Sequence, residues 1–437
     1  MHDRLLSILS DNIGELEDNR KHSNALKYDI GEIVFGAFSV FYMQDPSFLS
    51  NQRRLSEYCG ESNFQAFFKK GEIPTPNQIR NVLDDIPPES FYRTIDKAVD
   101  VLEEEDVLKK FKFFNGGYLI ALDGTQYYHS ENISCSKCST KKSKDIIHYH
   151  HNMVCASIVS TEIKEAIPLN CEFIVPQDGN EKQDSENAAI KRWLKQNGVK
   201  YHKYNPIVVG DDLLSNHIVC SAILEQNYHF ILVCKESSHK TLYEYINGII
   251  LEKHKTIKTK KYKKFEYHFK YVNQVPIRDG EDAVLVNWLE VTEIKKSTGE
   301  VTYKNNFISD ITLNHGNVYD IALGGRAKWR IENENNNTLK TKGYRFTHNY
   351  GHGKNFLSSV FATLIIIAFL FHTIMSMTCK YYKNAREKFS ARTHFFNMIR
   401  SLAQMFVFDS WDHLMIMIAG PPDRKLYASD VITFNKN

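Results

Sequence analysis

Bulk charge assigns this sequence no partner. Among 437 residues, 55 Lys and Arg nearly balance 52 Asp and Glu, leaving a net charge of +3, so attraction to a polyanion has to come from local clusters. No G-x-x-x-x-G-K-[ST] loop is present, which removes the usual backbone cradle for a nucleoside triphosphate. There is no internal repeat and no long low-complexity tract, only the short run NENNN at 333–337, so repeat-array architectures are excluded. The N-terminal stretch MHDRLLSILSDNIGELEDNR is acidic and interrupted by charge, unlike a secretory signal. With only eight cysteines in so long a chain, the expectation is a reducing, cytoplasmic compartment in which Cys is core or metal ligand. Charge is also missing from residues 356–377, FLSSVFATLIIIAFLFHTIMSM, a length that spans a bilayer. His372 and several Ser and Thr interrupt it and no second such segment exists, so a fully buried core helix is expected, and no membrane partner.

What is present suffices for a large core: 42% hydrophobic residues over this length suggests two or three domains. Residues 1–112 read as an all-α N-terminal domain. Apolar residues recur there at helical spacing through IGEIVFGAFSVFYM, and the Pro-containing breaks EIPTPNQ and DDIPPES separate the pieces. From about 116 the pattern turns to strands in YLIALDGT, IIHYHHNMVCASIVS and EAIPLNCEFIV. A helix follows in SENAAIKRWLKQNG, expected to stop at Gly198, and then a short buried strand, NPIVVGD. This predicts an α/β core with a mixed sheet over 113–237 and 317–400. Residues 238–316 break that rhythm with a basic run and an alternating pattern, including a hairpin turn at Ser297-Thr298-Gly299, and read as a β-rich insertion. Helical pattern returns in GGRAKWRIENENNNTLKTKG, and 401–437 reads as a C-terminal helical segment whose last helix closes at Gly420-Pro421-Pro422.

The stretch YLIALDGTQYY at 118–128 poses the functional question, because an apolar strand buried on both faces gives an ionised Asp123 no partner. Asp-Gly opening a turn is one answer. A metal ion is the other, and it requires more acids placed alike. Asp211 ends the strand PIVVGD as Asp123 ends its own, at the strand ends where α/β sheets place their chemistry. If those strands are neighbours, their tips lie about 5 Å apart. Two such carboxylates repel unless a divalent cation neutralises them. A third acid is expected from a helix, and Glu332 in KWRIENENNNTLK is the candidate, flanked by Arg326, Lys328, Arg330 and Lys340.

Taken together, LDGT at 122–125, GDDL at 210–213 with FILVCK at 230–235, and RIENENNNTLK at 330–340 resemble the Asp, Asp, Glu triad of insertion-sequence transposases in the retroviral-integrase and RNase H superfamily. HNYGHG at 348–353 and AFLFHT at 368–373 resemble the segment that follows the Glu in these enzymes. The resemblance covers about residues 116–380. It implies an RNase H-like mixed-sheet catalytic core with a β-rich insertion, and a DDE transposase that cleaves DNA at transposon ends and transfers strands into target DNA. Asp123, Asp211 and Glu332 are then the catalytic ligands of Mg²⁺ or Mn²⁺. The implied partners are double-stranded DNA, as terminal inverted repeats and target, and further copies of the chain in a homodimer or larger complex in a bacterial nucleoid. The separation between the second and third acids, 332 − 211 = 121 residues, leaves room for the insertion. Two departures matter. Asp211 is followed by Asp212, which permits a ligand slip of one, and the Tyr, Arg and Lys pattern around the Glu of some relatives is only partly kept. The rival reading is a non-catalytic, zinc-dependent DNA-binding protein derived from a transposase, with the acids as turn residues.

Cys135 and Cys138 form a C-x-x-C in a Lys-rich turn, with His148, His150, His151 and Cys155 on the next strand, the ligand types tetrahedral Zn²⁺ uses. Alternation puts His148 and His150 on one face and His151 with Cys155 on the other, so only two of these four converge easily. The candidate structural zinc set is Cys135, Cys138, His150 and His151; reduced thiols beside a DNA-facing strand are the alternative. His348 and His352 stand in a Gly-containing loop and read as substrate positioning or packing rather than metal ligands. Lys258, Lys260, Lys261, Lys263 and Lys264 fall within seven residues and, with Arg326, Lys328, Arg330 and Lys340, are the candidate phosphate contacts. Trp288 on an alternating strand reads first as core and second as a base-stacking platform on DNA.

Overall fold

The computed structural model describes residues 1–18, 20, 27–176 and 185–420. Packing divides the chain into two compact units, residues 1–83 together with the chain from 367 onward, and residues 84–366.

The first unit is helical. Its helices His2–Ile13, Ile30–Tyr42, Phe48–Ser56, Gly60–Phe68 and Pro76–Leu83 are joined by Lys380–Glu387, Arg392–Met405 and Trp411–Ala419. Helix Ile30–Tyr42 starts at a capping box: Asp29 accepts from the Glu32 amide while the Glu32 carboxylate accepts from the Asp29 amide. Asn63 joins the early and late helices, donating to the carbonyls of Ala403 (2.6 Å) and Phe406 (2.7 Å) and accepting from the Phe408 amide (2.9 Å). Tyr42 packs on His372 and Trp411, with ring centroids 4.4 and 5.1 Å apart. The composition shift near 112 does not coincide with the packing boundary, because helix Tyr92–Glu104 is tied to the sheet-bearing unit. Tyr92 Oη donates to the Cys171 carbonyl (2.7 Å), and Asp96 accepts from Asn170 (3.1 Å) and Lys200 (2.7 Å).

The second unit is built on an eleven-stranded sheet. Its strands are β1 (Tyr118–Ser130), β2 (Ser139–Ser143), β3 (Ile146–Val159), β4 (Ile167–Pro168), β5 (Glu172–Ile174), β6 (Pro206–Gly210), β7 (His229–Val233), β8 (Glu252–Lys260), β9 (Lys263–Pro276), β10 (Leu285–Lys295) and β11 (Val301–Ser309). The order is β2-β3-β1-β6-β7-β11-β10-β9-β8, with β4 and β5 pairing along β3. β1, β6 and β7 are parallel, whereas β3 and β11 run antiparallel to their neighbours. The sheet is therefore mixed, as the apolar runs β6 and β7 and the alternating runs further along require. Residues 238–316 supply a four-stranded meander that extends the core sheet, since β11 pairs with β7 from Phe307↔Val233 to Ser309↔Ile231. The hairpin between β10 and β11 closes where expected, with Gly299 at φ +70° and its amide on the Lys295 carbonyl at 2.9 Å.

Helix Glu186–Tyr201 does not stop at Gly198. A Cβ there would run into the Gln226 side chain, so the glycine permits close packing rather than ending the helix. Helix Leu357–Thr378 is long and apolar enough to cross a membrane, and 89% of its most apolar stretch is buried in the fold. Pro421, Pro422 and the remainder of the 401–437 segment lie outside the described residues; Trp411–Ala419 is the last described helix.

Candidate metal-binding active site

The Asp-Gly pair at 123–124 is not a turn, because β1 continues through it to Ser130. Asp123 instead sits just past the last parallel pairing of β1 with β6, Ala121↔Val209. That register carries an offset of 209 − 121 = 88, and 123 + 88 = 211; carried past the last pair and past the end of β6, it gives Asp211 the same height as Asp123, and the Asp123 carboxyl feels the Asp211 charge. Asp211 Oδ1 accepts from the Leu213 amide at 3.0 Å. Asp212 is engaged elsewhere, accepting from the Lys235 amide at 2.5 Å and facing His239 Nε2 at 3.2 Å.

Glu332 arrives from an unusual helix. Residues Ile331–Asn336 form a π-helix, whose wide i→i+5 winding is often found at functional sites. It turns both Glu332 and Asn336 toward β1: Asn336 Nδ2 donates to Asp123 Oδ2 at 2.7 Å. Lys328 lies four residues before Glu332, and its ammonium pairs with Glu332 and stands 3.5 Å from Asp123 Oδ1. Burial pushes the Asp123 carboxyl above its usual range; Lys328 opposes this, Glu332 and Asp211 add to it, and the Asn336 hydrogen bond opposes it. Burial works against the charge of Lys328, but the bond to Glu332 and the field of Asp123 outweigh it and hold the ammonium above its usual value.

A fourth acid, absent from the sequence reading, completes the cluster. Glu186, the first residue of its helix, is pushed up by burial and by the fields of Asp211 and Asp123, and accepts from the Gly124 amide, which opposes the rise. A Cβ on residue 124 would collide with the Glu186 carboxylate. Gly124 is therefore the opening through which this acid reaches β1. The polar groups around Asp123 are thus the carboxylates of Asp211, Glu332 and Glu186, the Lys328 ammonium and the Asn336 amide.

The basic candidates separate into engaged and free. Lys260 (2.9 Å) and Arg326 (3.2 Å) both pair with Glu293, whose side chain is 6% exposed and also accepts from Tyr267 Oη and Thr302 Oγ1. Lys258 lies 4.6 Å over the Tyr319 ring, and Arg330 lies 4.5 Å over Trp329. Lys258, Lys261, Lys263 and Lys264 are exposed on the β8–β9 hairpin, and Lys340 is half-buried. Trp288 is 3% exposed and donates to Tyr243 Oη at 3.3 Å. It is a core residue with no open face for a base.

The cysteine knuckle has a different ligand set from the one expected. Cys135, Cys138, His151 and His352 bring four donor atoms within 4.8 Å of one another. The thiols are 3.9 Å apart, and imidazole Nε2 atoms lie 3.6 Å (His151) from Cys135 and 3.5 Å (His151) and 3.7 Å (His352) from Cys138. Tetrahedral zinc, with bonds of about 2.3 Å to sulfur and 2.0–2.1 Å to nitrogen, needs edges of about 3.8 and 3.6 Å. The residues fit a structural zinc ion. His150 is not among them: β1–β3 pairing places it opposite His129 on the far face of the strand, while His151 pairs opposite Tyr128 and points inward. His352, read as positioning or packing, takes the fourth place. The thiols share a proton unequally: the hydrogen bond from Cys138 draws Cys135 far below the usual thiol range despite its burial, with His151 and His352 helping, and Cys138 rises in turn.

No protein-family profile matches the chain, and no curated protein matches it. The helical N-terminal region and the mixed sheet are compatible with an RNase H-like α/β fold. The clustered His, Cys and acidic side chains are of the kind that chelate metal, which is consistent with a metal-dependent activity.

Proposed function

We propose that the chain is a DDE-type transposase, a Mg²⁺- or Mn²⁺-dependent DNA strand transferase with Asp123, Asp211 and Glu332 as its metal ligands. What supports this reading is that the partly buried Asp123 carboxylate on β1 feels the charges of Asp211, which follows β6, and of Glu332 on the π-helix. Divalent ions held by Asp123, Asp211 and Glu332 would supply activation of a water or a 3′-hydroxyl and stabilisation of the leaving oxygen in an in-line phosphoryl exchange. The protein's part is positional. The parallel pairing of β1 with β6 up to Ala121↔Val209 runs toward both acids, and Asn336 donates to Asp123. Lys328 pairs with Glu332 and Asp123; with a divalent ion bound among the acids, its ammonium would be available to a DNA phosphate. The exposed lysines of the β8–β9 hairpin extend a phosphate-binding path, and double-stranded DNA bound by more than one copy of the chain is the partner this implies.

The test is cleavage of DNA carrying the element's own ends by D123N, D211N and E332Q. Each is expected to lose activity by at least about 100-fold, the scale of losing one electrostatic element of a catalytic site, with DNA binding retained. D212N should cleave nearly normally. Wild-type rates from any of the three sink the triad, and an inert D212N with active D211N moves the ligand by one residue. A wild type that binds DNA and zinc but never cleaves would favour the non-catalytic, zinc-dependent reading, which the Cys135, Cys138, His151, His352 geometry independently supports.

A further inference from the structure

The β1–β3 strand pair carries histidines on both of its faces. His151 points inward to the cysteine knuckle. On the outer face His129 pairs directly across from His150, and His148 lies one same-face step along β3. The three rings form a stack, with centroids 5.0 Å (His129–His150) and 5.3 Å (His129–His148) apart. Within it, His129 Nε2 lies 3.1 Å from His148 Nδ1, and Glu131 Oε1 lies 3.5 Å from the same His148 nitrogen. The three donor atoms are all within 4.8 Å of one another. Two nitrogens bound to one ion at about 2.1 Å stand about 3.0 Å apart at a right angle and about 3.4 Å apart at the tetrahedral angle, which brackets the spacing observed.

We propose that His129, Glu131 and His148 form a second metal site, open to solvent, for a divalent transition ion such as Zn²⁺, Co²⁺ or Ni²⁺. Two imidazoles with one carboxylate select these ions over Mg²⁺ and Ca²⁺, which take oxygen ligands. Three protein ligands leave at least one coordination position for water or an outside donor. The site binds more weakly than the four-ligand knuckle, because it has one ligand fewer, no thiolate, and an exposed Glu131 whose side chain must be immobilised. Glu131 opens the loop that carries Cys135 and Cys138, so an ion on the outer face ties the start of that loop to β3. The site shares no residue with the acid cluster, and its existence does not depend on the strand-transfer reading.

Cobalt distinguishes the two sites by chemistry. Titrating the full-length, metal-stripped protein with Co²⁺ should fill the knuckle first, with intense near-ultraviolet thiolate-to-cobalt absorption. A second equivalent should then add only weak visible bands. H129N/H148N should lose the second equivalent and keep the first, whose thiolate absorption also reports an intact fold. E131Q should keep both equivalents with the second weakened at least tenfold. A wild type that saturates at one equivalent would overturn the proposal, leaving the 3.1 Å contact as an imidazole–imidazole hydrogen bond. So would a second equivalent that persists unchanged in H129N/H148N or in E131Q. If H129N/H148N loses the thiolate absorption as well, E131Q alone decides on the same criterion.

Discussion

Replacing Lys328 by Met tests whether this ammonium is the counterion of the acid cluster. The substitution keeps a long apolar stem but removes the charge between Glu332 and Asp123, leaving Asp123 to face Asp211 and Glu332. Lys328 is 10% exposed and Asp123 16%, and deleting one partner of a buried pair costs roughly 3–5 kcal/mol. Two features reduce this. Glu332 is half-exposed and can rehydrate, and Asp123, already pushed up by burial, can take a proton. A net loss of about 2 kcal/mol is expected in EDTA, or a Tm lower by about 4 °C at roughly 2 °C per kcal/mol. In saturating Mg²⁺ the deficit should shrink, because an ion supplies the missing charge and need not displace an ammonium. The Mg²⁺-induced rise in Tm should therefore be larger in K328M than in the wild type. The pH dependence has a fixed sign. A carboxyl whose folded pKa lies above its unfolded value contributes stability at low pH that is lost as pH rises through the folded pKa. The K328M deficit should thus grow from acid toward neutral pH and fade below about 4, where the carboxyl is protonated in both states. Scanning calorimetry with and without Mg²⁺ measures all of this. Equal Mg²⁺ shifts in the two proteins, or equal Tm values in EDTA, would refute the counterion role.

Glu293, held down to about 2 against its burial by Tyr267, Lys260 and Thr302, contributes stability above its unfolded pKa that disappears as pH falls toward 2. After allowance for solvent screening this is roughly 2 kcal/mol. E293Q should cost that much at pH 7 in urea unfolding, roughly half as much near pH 3 and almost nothing below about pH 2; a pH-independent loss would mean that packing, not charge, is at work. Changing Lys258, Lys261, Lys263 and Lys264 together to Gln should flatten the log-affinity versus log-salt slope for duplex DNA by up to roughly 3.6 units, at roughly 0.9 per phosphate contact. K260Q should leave the slope alone and lower stability instead, because Lys260 is spent on Glu293; an unchanged slope in the fourfold variant would move the DNA path elsewhere. Metal analysis should find one tightly held zinc per chain, lost in C135S/C138S together with several degrees of Tm, and a well-folded, zinc-free wild type would dispose of the structural site.

Local pattern was enough for much of the fold. Apolar runs ending in acid located β1 and β6 and hence Asp123 and Asp211, alternation located the β8–β11 meander, and an uncharged run located the buried helix Leu357–Thr378. Periodicity reports which face of one element is apolar, so it carries those features in a few adjacent residues. It does not report which elements meet. His352 lies 214 positions from Cys138, and only the loop path after the π-helix makes it a better fourth ligand than His150, which is 12 positions from Cys138 but on the wrong face of β3. Glu186 reaches β1 at Gly124 because residue 124 has no side chain. Lys260 and Arg326, expected from the sequence as DNA contacts, both pair with the buried Glu293, which no local pattern near either residue announces. The helices after residue 367 pack with residues 1–83 through Asn63 and Trp411, a pairing without a local signature. The sequence by itself determined the elements and the chemical types available to the site; the tertiary structure decided the ligand sets, because burial, strand register and the widened helix choose which side chains share one small volume.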